Sequence, residues 1–183
     1  MELSQIDANR AHLEEVGLQA IREGKVAAVL LAGGQGTRLG FDKPKGMYNI
    51  GVTRELYIFE CLINNVMEIV KKAGAWIPFY IMTSDKNYDD TTAFLKEKNY
   101  FGYNAEYIHF FKQEMAPSVD YNGKLLMEAP DHLSLSPNGN GGWFSSLCRY
   151  GYDKQMKEAG VEWLTAFAVD NVLQRINDPA FVG

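Results

Sequence analysis

The run VAAVLLA at residues 26–32 constrains the fold most, because it contains no polar residue. An uninterrupted apolar strand is typical of a parallel sheet, in which helices cover both faces. The run leads directly into a loop that holds four glycines, one arginine and two lysines between residues 33 and 45. A buried strand that ends in a basic, glycine-rich loop predicts an α/β fold with an anion site beyond the end of the strand.

The rest of the chain alternates predicted helices and strands. Apolar residues at helical spacing predict helices over residues 4–23, 55–73, 87–98 and 143–158. Compact apolar runs predict further strands over residues 77–83, 107–111 and 162–169. The sequence YNGK predicts a hairpin turn within residues 112–136. This alternation predicts an α/β sandwich with a mainly parallel, Rossmann-like sheet flanked by helices. In such a sheet the glycine-rich loop and Asp170, which follows the last strand, lie at the same edge.

Two familiar phosphate motifs do not fit the glycine-rich loop. The P-loop requires a lysine after its last glycine, but Phe41 follows Gly40. The dinucleotide fingerprint opens directly into a helix, whereas the next predicted helix begins near residue 55. The remaining interpretation is a loop that wraps around an anion. Its backbone N–H groups would contact the anion, and Arg38 and Lys45 would neutralise its charge. The alternative, that the glycines serve only a tight turn between strand and helix, stays open.

Charge and apolar patterning narrow the classes of partner. The formal net charge of −5 argues against a general nucleic-acid-binding protein. The sequence contains no apolar run long enough to predict a membrane span or a secretory leader. Its two cysteines and three histidines have no spacing typical of a metal site. These observations predict a cytoplasmic protein that recognises a small anionic molecule, and they leave the oligomeric state open.

Several motifs in the same order resemble the UDP-sugar pyrophosphorylases, especially the eukaryotic-type UDP-N-acetylhexosamine pyrophosphorylases. These motifs are LAGGQGTRLG, PKGMYNIG, PFYIMTS, FFKQEMAPSVDYNGKLLMEAP, LSLSPNGNGG and VDNVLQRINDPAFVG. The resemblance implies a nucleotide-diphospho-sugar transferase fold. It also implies a uridylyltransferase that joins UTP to a sugar 1-phosphate, with N-acetylglucosamine 1-phosphate as the expected sugar, and releases pyrophosphate. Residues 1–24 would form an N-terminal helix, and residues 25–183 the nucleotide-binding part of the catalytic domain.

The same resemblance assigns the expected catalytic residues. Arg38 would face the departing pyrophosphate, and Lys45 would contact the nucleotide phosphates. Asp170 would lie beside the phosphates and bind Mg²⁺, a cation that prefers carboxylate and phosphate oxygens. The sugar phosphate is already a nucleophile, so catalysis would come from in-line positioning and charge neutralisation, without a serine or histidine activator.

The resemblance also assigns contacts with the nucleoside and the sugar. The backbone expected to hold uridine and phosphates is that of Leu31, Ala32, Gly33 and Gly34. The amide of Gln113 would read the uracil edge, because an amide offers both a donor and an acceptor. Gly139 would pack close to the uridine, and Asn140 would reach the sugar.

The chain departs from the family pattern at three places. Asn138 stands where an aspartate is usual, Glu114 replaces a glycine, and Trp143-Phe144 replace a Leu-Tyr pair. These changes leave the choice of sugar open. The family also continues beyond the equivalent of Gly183 into a sugar-binding half with a catalytic lysine. We therefore expect a truncated chain with little or no turnover alone, and the alternative function is a non-catalytic fragment that binds UTP or a UDP-sugar.

Overall fold

The computed structural model describes residues 3–183, and a four-stranded parallel sheet forms its centre. The strands are β1 (Val26–Leu31), β2 (Phe79–Thr83), β3 (Ile108–Lys112), β4 (Met115–Pro117), β5 (Met127–Ala129), β6 (His132–Leu133), β7 (Leu135–Pro137) and β8 (Trp163–Ala168). The helices are α1 (Leu3–Arg22), α2 (Ile58–Ala73), α3 (Tyr88–Glu97), α4 (Trp143–Arg149), α5 (Tyr152–Glu158) and α6 (Pro179–Val182). The strand order β3-β2-β1-β8 confirms the predicted α/β fold.

Strand β1 lies between β2 and β8, and both neighbours run parallel to it. Its side chains alternate between two apolar layers, which explains why the run lacks polar residues. Ala28 and Leu30 pack into one buried cluster with residues of α2, whereas Ala27 and Val29 pack into another with Leu147 of α4. Helices therefore cover both faces of the strand, as the sequence predicts.

The predicted hairpin forms an antiparallel arm outside the central sheet. Strand β4 pairs with β7 and β5 pairs with β6, while a bridge joins Val119 and Leu125. The turn lies within YNGK, where the N–H of Gly123 donates to the carbonyl of Asp120 at 3.0 Å. The arm thus returns the chain from the end of β3 to the second glycine-rich segment at residues 137–142.

Two helix boundaries differ from the prediction. The helix predicted over residues 143–158 is broken between α4 and α5 by Gly151, whose φ of +76° lies in the left-handed region. Helix α2 begins at Ile58 instead of residue 55, because the preceding residues pair with the chain before them. The side chain of Asn49 accepts the N–H groups of Gly51 and Leu56 and thereby keeps this segment extended.

Helix α1 packs on the domain through Ile21, which is buried in the core. The proposed division between residues 24 and 25 stays a prediction. Within residues 3–183, no helix is both long and apolar enough to cross a membrane.

Candidate functional site

An open cleft of about 370 Å³ lies beyond the carboxyl ends of the strands, where a parallel sheet places its ligand site. Its walls come from the loops that follow β1, β3, β7 and β8. The predicted site residues that line it are Leu31, Gly33, Gly34, Arg38, Lys45, Gln113, Gly139, Asn140 and Asp170. Of the predicted set, Ala32 alone is not among the lining residues. Residues far apart in sequence are therefore brought to one site.

Backbone hydrogen bonds fold the glycine-rich loop back on itself. The N–H of Gly36 donates to the carbonyl of Lys43 at 3.0 Å, and the N–H of Lys45 donates to that of Gly34 at 3.3 Å. In the described part of the chain, the N–H groups of Gly33, Gly34 and Gln35 have no acceptor. Consecutive free N–H groups on a curved backbone are typical of an anion site.

A short 3₁₀ helix at Thr37–Leu39 carries Arg38 within the same loop. It ends at Gly40, whose φ of +65° reverses the chain toward Lys45. Arg38 is exposed and lines the cleft together with Thr37. The loop therefore combines a guanidinium group with free backbone donors on one wall.

Ala32 lies beneath the cleft, with only 2% of its surface exposed. Its N–H donates to the carbonyl of Met82 at 2.9 Å, and its carbonyl accepts from the side chain of Asn87 at 3.0 Å. Both backbone groups are thus used within the protein. The N–H of Ala32 is therefore not available to a ligand in this conformation, and its contact with a nucleotide stays a prediction.

Gln113 is buried at the end of β3 and covers Gly33 on the cleft floor. A Cβ atom at Gly33 would lie 2.4 Å from Nε2 of Gln113, so a larger residue at this position would displace the amide. The backbone N–H of Gln113 donates to Thr83 at 2.7 Å, whereas its side-chain amide has no hydrogen-bond partner among residues 3–183. A side-chain amide that lines a cleft and has no protein partner is available to a ligand.

Lys45 and Asp170 form an ion pair across the cleft. Lys45 follows Pro44 and begins a short 3₁₀ helix. The next residue, Gly46, packs against the ring of Phe59 and so places this helix against the core. The side chain of Lys45 is 13% exposed, whereas that of Asp170 is 62% exposed. A shielded cation and a more accessible carboxylate therefore meet where the loops after β1 and β8 approach each other.

The metal ligands that the cleft offers near Asp170 fit a Mg²⁺ ion that is also bound by the phosphates of a substrate. Asp170 is the only carboxylate that lines the cleft, and residues 3–183 contain no group of three or more His, Cys, Asp or Glu suited to a metal. Mg²⁺ is commonly held by one or two carboxylates together with substrate phosphates and water. A single carboxylate suits a Mg²⁺ ion shared with substrate phosphates, and it does not suit a metal held by protein side chains alone.

The second glycine-rich segment forms the opposite wall. Gly139 has φ +77°, and Asn140 begins a short 3₁₀ helix that leads into α4. The N–H of the preceding Asn138 donates to the carbonyl of Glu114 at 3.0 Å. This bond fixes the segment to the turn that carries Gln113.

The unusual Glu114 is turned toward α4. Its carboxylate forms an ion pair with Nε of Arg149 at 2.9 Å, and its N–H donates to the hydroxyl of Ser146 at 3.1 Å. Glu114 therefore anchors the turn after β3, and it is not among the residues that line the cleft.

Sequence patterns did not indicate three further residues at this site. Gln35 and Thr37 line the cleft within the glycine-rich loop, and the composition of that loop was their only signal. Asn87 lies below the loop and hydrogen-bonds to it from the start of α3. In the sequence Asn87 indicates only the start of a helix.

Comparisons with known proteins agree with the geometry. The family described as UTP–glucose-1-phosphate uridylyltransferase matches residues 3–183. A UDP-N-acetylglucosamine pyrophosphorylase from Saccharomyces cerevisiae is 42% identical over 172 residues, which cover 92% of this chain and 36% of that protein. The UDP-N-acetylglucosamine pyrophosphorylase of Trypanosoma brucei, solved with an inhibitor, superposes with a TM-score of 0.89 at 30% identity. That match covers 99% of this chain and 39% of the other.

A more distant structure shares the fold alone. A UDP-glucose pyrophosphorylase mutant from Leishmania major, in complex with UDP-glucose, superposes with a TM-score of 0.68 at 18% identity. The match covers 82% of this chain and 32% of the other. The chain thus spans between three and four tenths of the length of these relatives.

Proposed function

The chain belongs to the UTP–glucose-1-phosphate uridylyltransferase family, and from this membership we propose that its cleft binds UTP for transfer of uridylate to a sugar 1-phosphate. The relatives named as UDP-N-acetylglucosamine pyrophosphorylases support N-acetylglucosamine 1-phosphate as the sugar substrate. The products are the UDP-sugar and pyrophosphate. The cytoplasmic location predicted from the sequence is part of this proposal.

The observation that carries the proposal is the side-chain amide of Gln113, which lines the cleft and has no hydrogen-bond partner among the described residues. Uracil presents a donor at N3 between two carbonyl acceptors, and an amide side chain can pair with both kinds of group. A buried polar group that a wrong base leaves unpaired costs free energy, so it discriminates between bases. Gln113 is therefore suited to pair with the edge of uracil.

The glycine-rich loop supports the triphosphate half of the proposal. The free N–H groups of Gly33 to Gln35 offer donors to phosphate oxygens, while Arg38 and Lys45 supply positive charge from the same wall. This charge would stabilise the departing pyrophosphate as the sugar phosphate oxygen attacks the α-phosphorus in line. The chain's contribution to the reaction is thus positioning and charge neutralisation.

Asp170 would hold Mg²⁺ together with the nucleotide phosphates. When bound, the cation would neutralise charge that develops on the phosphate oxygens. Lys45 then becomes free to donate to the phosphates, because its carboxylate partner is used by the metal. This role follows from the single accessible carboxylate in the cleft.

UTP binding without transfer is a second candidate function. Asn140, the predicted sugar contact, lies exposed at the start of its short helix. One exposed amide holds a hexose weakly. An assay of pyrophosphate release with UTP, Mg²⁺ and several sugar 1-phosphates separates the two functions, since only the first gives turnover.

The nucleotide proposal is tested by titrating the chain with UTP and with inorganic triphosphate in a calorimeter. We expect Gln113→Leu to weaken UTP binding by roughly tenfold and to leave triphosphate binding unchanged. The matched control is Gln155→Leu, which changes an exposed glutamine on α5. An unchanged UTP affinity of Gln113→Leu, or an equal loss of its triphosphate affinity, would contradict the role of Gln113.

A further inference from the structure

Asn87 is a fully buried amide that lies outside the cleft but next to its floor. It follows β2 and immediately precedes α3. Its side chain does not cap that helix. The amide is used instead to join the loop after β2 to the glycine-rich loop after β1.

Both ends of this amide are hydrogen-bonded. Nδ2 of Asn87 donates to the carbonyl of Ala32 at 3.0 Å and to that of Gly34 at 3.4 Å. Oδ1 accepts the backbone N–H of Ser84 at 2.7 Å, which fixes the orientation of the amide. One side chain therefore holds two alternate carbonyls of the loop, and its own position is set by the strand end beside it.

This arrangement determines where the neighbouring N–H groups point. In a trans peptide unit the C=O and the N–H of the next residue point in opposite directions. Because the carbonyls of Ala32 and Gly34 face Asn87, the N–H groups of Gly33 and Gln35 face away from it. Both of these residues line the cleft, and in residues 3–183 neither N–H has a protein acceptor.

We propose that Asn87 is a positioning residue for the phosphates of the nucleotide. It acts through the peptide units that it holds and does not touch the ligand. It keeps two carbonyl oxygens, which would repel phosphate, on the side away from the cleft. The inference rests on the proposed function, because it assigns Asn87 to the triphosphate part of that site.

Loss of Asn87 affects phosphate and uracil recognition differently. Without this donor, the carbonyl of Ala32 loses its partner and that of Gly34 keeps only the N–H of Lys45, so the free N–H groups are held less firmly toward the phosphates. Hydrogen bonds to charged groups are the stronger class, so we expect UTP affinity to fall by about tenfold to hundredfold. Gln113 contacts Gly33 but has no hydrogen bond to Asn87, so we expect uridine affinity to fall by a smaller factor than UTP affinity.

The experiment compares UTP and uridine affinities of the wild-type chain with those of Asn87→Asp and Asn87→Ala. The aspartate keeps the shape of the side chain and, when ionised, cannot donate to the carbonyls. The alanine variant removes the amide without adding a buried charge, so it serves if the aspartate variant does not fold. Urea unfolding of each variant measures the accompanying loss of stability.

The matched control is Thr91→Ala. Thr91 is buried on α3, the helix that Asn87 precedes, and its hydroxyl has no hydrogen-bond partner among residues 3–183. This change removes local packing without altering any bond to the glycine-rich loop. We expect it to lower the free energy of unfolding while leaving the ratio of UTP to uridine affinity unchanged.

Each outcome bears on a different statement. A selective loss of UTP affinity in a folded Asn87 variant supports the positioning role. A wild-type ratio of UTP to uridine affinity in either folded variant overturns it and leaves the proposed function intact. If the wild-type chain binds uridine but gains nothing from the triphosphate, the proposed function and the role of Asn87 both fail.

Discussion

Replacing Asp170 by asparagine should strengthen the binding of metal-free UTP. In the structure the carboxylate of Asp170 neutralises Lys45, so a triphosphate must compete for this cation and also approach a negative charge. Asparagine keeps the size of the side chain and removes its charge. The variant should therefore present an unpaired lysine to the nucleotide.

The solvent exposure of the Lys45–Asp170 pair determines how large the gain in UTP affinity should be. Two unit charges about 4 Å apart interact by about 4 kcal/mol at an effective dielectric constant of about 20. Asp170 is 62% exposed, however, and measured pairs in such surroundings contribute only about 0.2–1 kcal/mol. We therefore expect a gain of at most about 1 kcal/mol, which is roughly fivefold in affinity.

Isothermal titration calorimetry measures this gain with UTP in the presence of EDTA at fixed ionic strength. The same titration with Mg²⁺ should reverse the order, because under the proposed function the wild-type chain would gain affinity through a metal at Asp170 and Asp170→Asn would gain less. Asp42→Asn is the matched control, since it removes one exposed negative charge outside the cleft lining. An unchanged or weaker UTP affinity of Asp170→Asn in EDTA would refute the reasoning, as would an equal gain in Asp42→Asn.

Two further predictions concern stability, and urea unfolding tests both. Gly46→Ala should lower the free energy of unfolding by about 1–3 kcal/mol, because its Cβ would lie 2.3 Å from the buried ring of Phe59. Gly34→Ala, which meets nothing within 4 Å, should change it far less, and equal effects would contradict this account. Burial lowers the pKa of the His109 imidazole, so the unfolded chain binds more protons below about pH 6.5, and stability should fall from pH 8 to pH 5. His109→Gln should reduce that fall, and an identical pH profile would exclude His109 as its cause.

The position of the cleft could be predicted from the sequence because it depends on the topology of the sheet. An apolar run without alternation predicts a parallel strand, and parallel strands bring their carboxyl ends to one edge. This rule places Arg38 and Lys45 near Asp170 without any knowledge of the contact between them. Gln113 was predicted only from the family resemblance, because a polar residue at the end of a strand does not by itself indicate a binding site.

Side-chain bonds to distant backbone groups could not be predicted in the same way. Asn87 holds carbonyls more than fifty residues earlier in the chain, and no local pattern encodes this pairing. The same limit applies to Asn49, which delays the start of α2. The break at Gly151 was visible as a glycine, but helical spacing continues across it, so periodicity alone favours one long helix.

The construction of the cleft from four separate loops links ligand binding to the folding equilibrium. Leu31 and Asp170 lie near opposite ends of the chain and meet only when β1 and β8 have paired. A partly unfolded chain therefore has no site, and a ligand that binds only the native state raises the free energy of unfolding. At a UTP concentration one hundred times Kd, this stabilisation is about 2.7 kcal/mol. The urea concentration at the unfolding midpoint should therefore rise with the fraction of the chain that has UTP bound.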